Sequence, residues 1–189
     1  MLVKEFLQKD PASALEGKSV SETKELMEEN NFRIIFVVDD EGRLVGFLTY
    51  DSIKEKSGDE PIDNYVSRST LHAEETDTID RAVSIIKEYS LMVLPVVDSE
   101  RKLVGVLTPG KLFEEFSELL NFGRGGFWVT LTPEGLEGMK KVLSVLDRHG
   151  VKLLSLLSAG GEEEGEKLIM KVGEVEEPGE LKEALAEVL

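Results

Sequence analysis

Two threonines, Thr49 and Thr108, each follow an apolar run and precede a helical pattern, so each hydroxyl is placed to cap a helix N-terminus. Pro109 suits the first helical position after the second of them. A helix start presents free N–H groups and the positive end of a dipole, which favours a phosphate. Lys111 adds a cation beside that end. Asp51 follows Thr49 closely, Arg33 stands ahead of an apolar run, and His72 lies in an extended segment; arginine binds phosphate, and histidine stacks on a base or hydrogen-bonds to it. Gly105-Val106-Leu107-Thr108-Pro109-Gly110-Lys111-Leu112 comes within one residue of the phosphate-cradling pattern Gly-x4-Gly-Lys-Ser/Thr. It fails at Leu112, where Mg²⁺ needs a hydroxyl, so nucleotide hydrolysis is not expected.

Composition narrows the chemistry further. The chain has no cysteine, which excludes disulfides, thiolate metal sites and cysteine nucleophiles. Its two histidines, His72 and His149, have no metal-ligand spacing, so no metal site is expected. No Ser/His/Asp set or carboxylate pair has a spacing that supports catalysis. A net charge of −16 repels a phosphate backbone, which argues against nucleic-acid binding. No apolar run reaches the ~18 residues of a membrane span, and Met1 to Asp10 carries charges where a secretory leader is apolar; a cytoplasmic protein is expected. A single glutamine, Gln8, and four asparagines beside abundant Glu and Lys point to a thermophile.

These candidate residues sit within an internal repeat. Phe36-Val37-Val38-Asp39-Asp40-Glu41-Gly42-Arg43-Leu44-Val45-Gly46-Phe47-Leu48-Thr49 aligns without a gap on Pro95 to Thr108, at a constant offset of 59 residues. Each copy reads as an extended piece (Ser13 to Leu15; Thr70 to Ala73), then an amphipathic helix (Ser19 to Glu29; Thr78 to Tyr89). Two β-rich runs follow in each, Ile34 to Val38 with Leu44 to Leu48, and Met92 to Val97 with Lys102 to Leu107, before a short closing helix. One copy has too little surface to bury alone, so the two are expected to pack about a pseudo-twofold axis.

The pattern apolar-Pro-Val-Val-Asp, a turn, Leu-Val-Gly, two apolar residues and Thr resembles the CBS domain, over roughly residues 1–120 (motif 1 about 1–58, motif 2 about 59–120). The resemblance implies a tandem pair with an adenosine-type nucleotide in its cleft, held in part by Thr49 and Thr108, with Arg33 and Met92 at equivalent lining positions. The ribose-gripping Asp of that family falls on Ser52 and Lys111 here, and Asp51 lies one residue short. Loss of that carboxylate shifts recognition toward phosphate contacts through Lys111, so AMP, ADP or ATP is expected to bind better than adenosine, with S-adenosylmethionine as a further candidate.

A Gly-rich stretch, Asn121 to Gly126, reads as an interdomain linker and hinge, and residues 127–189 as a separate module. Phe127 to Leu131 alternates like a strand. Pro133 to His149 reads as a helix with Leu136, Met139, Val142, Leu143 and Leu146 on one face. Val151 to Leu157 and Leu168 to Val172 read as strands around the Ala159 to Glu166 loop, whose Glu162-Glu163-Glu164 is expected to be a solvated tip. Pro178 opens a last helix to Leu189. This β-α-β-β-α order resembles the ACT domain, a ferredoxin-like module, here without a clear final strand. It implies an amino-acid site at the first strand–helix turn, on Thr132, Glu134 and Gly135. The whole arrangement resembles the acetoin-utilisation regulatory proteins. The expected fold class is therefore α/β (α+β): two tandem CBS motifs as a pseudo-twofold pair plus a C-terminal ferredoxin-like ACT domain. The expected role is a non-enzymatic ligand sensor, a homodimer acting on a regulated protein through domain rearrangement. The alternatives are a ligand-free dimerisation scaffold or an amino-acid sensor.

Overall fold

The computed structural model describes residues 1–68, 71–160 and 167–188. Thr70, the Glu162-Glu163-Glu164 tip and Leu189 lie outside them. The chain divides into two compact units, Met1–Phe113 and Glu114–Leu189.

The first unit holds both repeats. One comprises β1 (Ser13–Leu15), α1 (Val20–Glu29), β2 (Ile34–Val38), β3 (Leu44–Thr49) and α2 (Tyr50–Ile53). The other comprises β4 (Ala73–Glu74), α3 (Ile79–Glu88), β5 (Leu94–Val97), β6 (Leu103–Leu107) and α4 (Pro109–Leu119), which runs past the end of the unit. Each forms a three-stranded sheet, β1-β2-β3 and β4-β5-β6, with the first pair parallel and the second antiparallel. Ser19 and Thr78 start α1 and α3 by accepting from the amides of Glu22 and Arg81.

The repeated Val-Val-Asp has a structural cause. Asp39 Oδ1 accepts from the amides of Glu41 and Arg43 at 3.1 and 2.8 Å, and Asp98 Oδ1 accepts from Glu100 and Lys102 at 2.9 and 2.9 Å, so one carboxylate closes each hairpin turn. At Asp39, burial opposes the charge, yet the Arg43 amide and guanidinium together lower the pKa below 3.8. The two turns then meet: Leu44 N donates to Arg101 O, and Leu103 N donates to Gly42 O, both at 3.0 Å. Arg43 faces Lys102 across this bridge, and because these residues are themselves equivalent, the pseudo-twofold axis passes between them.

The segments ahead of each repeat cross to the other. Gln8 exchanges two backbone hydrogen bonds with Val106, and Ser67 does the same with Phe47. This crossing explains the glycine in each Leu-Val-Gly. A Cβ on Gly46 would collide with the Ser67 carbonyl, and one on Gly105 would stand 2.9 Å from the Gln8 carbonyl. The crossing also shares cores: Ile62, from the head of the second repeat, packs with Met27, Ile35, Leu48 and Ile53 of the first. Phe36, Leu44, Val97 and Val106 fill the seam between the repeats.

The second unit contains β7 (Phe127–Leu131), α5 (Gly135–Arg148), β8 (Leu153–Ala159), β9 (Lys167–Val172) and α6 (Pro178–Ala186). Its sheet order is β7-β9-β8 with both pairings antiparallel, so β7 and β8 run parallel with β9 inserted between them. This is the split β-α-β arrangement of a ferredoxin-like module. Val142, Val145, Leu146, Met170, Val172, Leu181 and Leu185 form the core between sheet and helices.

Two expectations change here. The apolar face of α5 does not include Leu136, which is 77% exposed, nor Leu143; Gly138 and Val145 take their places, because a Cβ on Gly138 would come within 3.0 Å of Pro133. The stretch from Asn121 to Gly126 is also not a free hinge. The buried Lys171 Nζ donates to the carbonyls of Asn121 and Arg124 at 2.7 Å each, Ser155 Oγ donates to the Leu120 carbonyl at 2.8 Å, and Phe122 packs on Trp128. Those contacts tie the stretch to the second unit, and the division falls earlier, inside α4.

Candidate functional site

A cleft of about 290 Å³ opens in the first unit, with walls contributed by both repeats. Ile34 and Phe36 of β2 and Gly46 and Phe47 of β3 form one wall, and the run from Leu91 to Val93 with Pro95 forms the other. Ser67 and Leu71, on the crossing segment, close it. The pairing of Ser67 with Phe47 sets this geometry, since it lays the crossing segment along β3 where Gly46 leaves room. Lined by aliphatic and aromatic side chains with one hydroxyl, the cleft suits a flat, largely apolar group.

None of the six residues singled out for a nucleotide lines this cleft, but four border it. Thr49 pairs with Ile34 in the β2–β3 register, and Arg33 directly precedes Ile34. His72 follows Leu71 and is half-buried ahead of β4. Thr108 follows Leu107, whose partner Leu94 stands between the lining residues Val93 and Pro95. Asp51 is exposed and pairs with Lys54 at 3.1 Å. Ser52, at the position expected to grip ribose, donates instead to the Thr49 carbonyl at 2.7 Å.

The two threonines differ. Thr108 Oγ accepts from the Lys111 amide at 3.1 Å, the expected cap. Thr49 makes no side-chain cap bond, which corrects the expectation for the first repeat: α2 is a single turn of four residues, and Ser52 occupies the Thr49 carbonyl. Beside it, the Arg33 guanidinium lies 5.5 Å from the centroid of the Tyr50 ring. The Tyr50 hydroxyl donates to Glu28 at 2.6 Å, and that hydrogen bond, with burial adding to it, raises the phenol pKa above 10.0.

In the second unit, Thr132 and Glu134 lie in the exposed turn between β7 and α5, and Gly135 opens α5 at φ 61°. They do not line the unit's cavity of about 330 Å³, which lies among His149, Val151, Glu174, Glu176, Glu177 and Leu181. Among the described residues, no group of three or more His, Cys, Asp or Glu is placed to hold a metal ion, and no helix is long and apolar enough to cross a membrane.

Sequence reasoning missed Phe36, Phe47, Ser67, Leu71 and Leu91 as lining residues. The repeat offset would have pointed to some of them, because Met92 and Arg33 are equivalent, yet the crossing of Ser67 to Phe47 has no one-dimensional signature.

The CBS domain profile matches residues 3–59 and 62–118. An L-aspartate semialdehyde sulfurtransferase of Methanocaldococcus jannaschii is 30% identical over 109 residues, covering 57% of this chain and 21% of that protein. The chain thus spans about a fifth of the length of that curated relative. Among solved structures, a CBS domain pair/ACT domain protein from Thermotoga maritima is 28% identical with a TM-score of 0.57, covering 64% of this chain and 99% of that one. A CBS domain pair solved in complex with 5′-methylthioadenosine and S-adenosylmethionine is 28% identical with a TM-score of 0.52, covering 62% of this chain and 97% of that one.

Proposed function

The chain belongs to the CBS domain family, and from that premise we propose that it is a non-enzymatic regulatory sensor that binds an adenosine-type ligand in the cleft between its two repeats. The observation that carries this reading is the cleft itself: an apolar cavity walled by both repeats, so that a bound ring touches both at once. A ligand in that place favours one arrangement of the repeats over another, and only such a difference in affinity can drive a conformational signal. The related pair solved with 5′-methylthioadenosine and S-adenosylmethionine supports the ligand class. Thr49, Thr108, Arg33 and His72 border the cleft and are assigned to the ligand's sugar and outer groups, with Lys111 and Asp51 beyond them. The C-terminal unit serves as an ACT-like module, and the protein works in the cytoplasm as a homodimer on a partner protein.

A thermal-shift panel tests this. Adenosine, AMP, ATP and S-adenosylmethionine at millimolar concentration are expected to raise the melting temperature, since a ligand binding only the folded state stabilises it. Sedimentation of the same sample is expected to show a species above the 21.0 kDa chain. A panel with no shift for any adenosine compound, in a sample that still sediments as a dimer, would establish the ligand-free scaffold instead. A shift with an amino acid alone would move the sensing site to Thr132, Glu134 and Gly135.

A further inference from the structure

The sheet of the second unit has two edge strands, and they are not alike. Each edge presents backbone N–H and C=O groups that the sheet itself does not use. Folded proteins blunt such edges with charges, prolines or bulges. The β8 edge is broken by a register shift between Leu153 and Ser155, which twists a strand away from further pairing. The β7 edge has none of these devices. Phe127-Trp128-Val129-Thr130-Leu131 carries no charge and no proline, and it pairs with β9 without a register shift.

Apolar side chains stay uncovered on both faces of that edge. Phe127 and Val129 pack against the core yet are only half-buried. On the other face, Trp128 is 38% exposed, and Phe122, packed on it with ring centroids 5.5 Å apart, is 54% exposed.

The strand's own sequence selects its partner. Set antiparallel against a copy of itself and centred on Val129, it places Phe127 opposite the partner's Leu131 and Trp128 opposite the partner's Thr130, so each face gains an aromatic beside an aliphatic or β-branched residue. Arg124 stands three residues ahead of β7 and Glu134 three residues past it, both exposed. Antiparallel pairing brings these opposite charges together at both ends, whereas parallel pairing sets like against like. With a net charge of −16, most of the chain repels a second copy, and this uncharged strand with complementary ends does not.

Resting on the homodimer reading above, we propose that β7 is the dimer strand: it pairs antiparallel with β7 of a second copy about a twofold axis at Val129, joining two three-stranded sheets into one.

Sedimentation equilibrium of the full chain tests the proposal. Arg124→Glu and Glu134→Arg are each expected to raise the dimer Kd about fivefold, the size of two exposed ion pairs, and the double variant is expected to return it to the wild-type value. Glu134→Arg is the more telling, because it lowers the net negative charge and would tighten an association limited only by general repulsion. Leu156→Lys, on the β8 edge, is expected to leave the Kd unmoved. Hydrogen exchange is expected to slow at β7 amides as concentration rises through the Kd. Unchanged Kd values in both charge variants, a dimer dispersed by Leu156→Lys, or β7 amides that exchange at one rate at every concentration would each overturn the proposal and leave the homodimer standing. A wild-type chain that sediments only at 21.0 kDa would overturn both.

Discussion

The two repeats share a register to the residue, yet they are not built to the same tolerance. Both use an aspartate to close the hairpin turn, both place a residue at positive φ there, and both need a glycine where the other repeat's leading segment crosses. They differ wherever the second copy replaces a side chain that the first uses to tie down its own end: Pro109 for Tyr50, Met92 for Arg33, and a capped eleven-residue helix for a single uncapped turn. Shared features set the architecture, and the differing ones set the chemistry at the end of each repeat.

The sharpest way to break this comparison is at the crossing glycines. A Cβ on Gly46 meets the Ser67 carbonyl and Val66 Cγ1, and the carbonyl is backbone already paired to Phe47, so it cannot yield cheaply. At Gly105 the nearest atom is 2.9 Å away. Gly46→Ala is expected to cost about 3 kcal/mol and Gly105→Ala about 1 kcal/mol in urea denaturation, the range for overpacking at a fixed neighbour. Equal costs would mean that the crossings are equally tight and the asymmetry is only chemical.

The threonines offer a smaller test. Thr108→Val removes a cap from α4 and is expected to cost about 1 kcal/mol, while Thr49→Val, with no cap bond to lose, is expected to change stability by only a few tenths. Matching losses would show that Thr49 caps α2 in solution.

The smallest effect lies in the turns. Gly42 holds φ 81° and Arg101 holds φ 65° at the same place in the repeat. A non-glycine residue in that region costs about 1 kcal/mol or more, whereas glycine gives back part of this through the greater freedom of the unfolded chain. Arg101→Gly is therefore expected to stabilise by about 0.5 kcal/mol, read as a small rise in melting temperature. A fall would mean that the Arg101 side chain makes a contact its backbone strain has to be weighed against.

Much of the fold was legible because its determinants are local or periodic. The strand from Ile34 to Val38, the helices that begin at Ser19 and Thr78 and the order of elements in the last third all follow from spacing between near neighbours. The candidate site was legible at Met92, which lines the cleft as expected, and otherwise only at its border. Thr49, Arg33, His72 and Thr108 flank the cleft because each is one step along the chain from a residue that lines it or pairs beside it. The apparent hinge at Asn121 to Gly126 misled because glycine content reports backbone freedom in the absence of partners. The partner, Lys171, lies far along the sequence and finds those carbonyls only after β9 pairs with β7.

By itself, then, the sequence determined that two copies of one motif pack about a pseudo-twofold axis, and it determined where each turn falls, since equal residues at a constant offset meet equal local forces. Tertiary structure decided what walls the cleft. Those walls depend on Ser67 crossing to Phe47, on Gly46 admitting it, and on the run from Leu91 to Val93 with Pro95 standing as the other side. These are relations between residues distant in the chain, and hydrogen-bond partnership across a fold has no period by which a sequence can announce it.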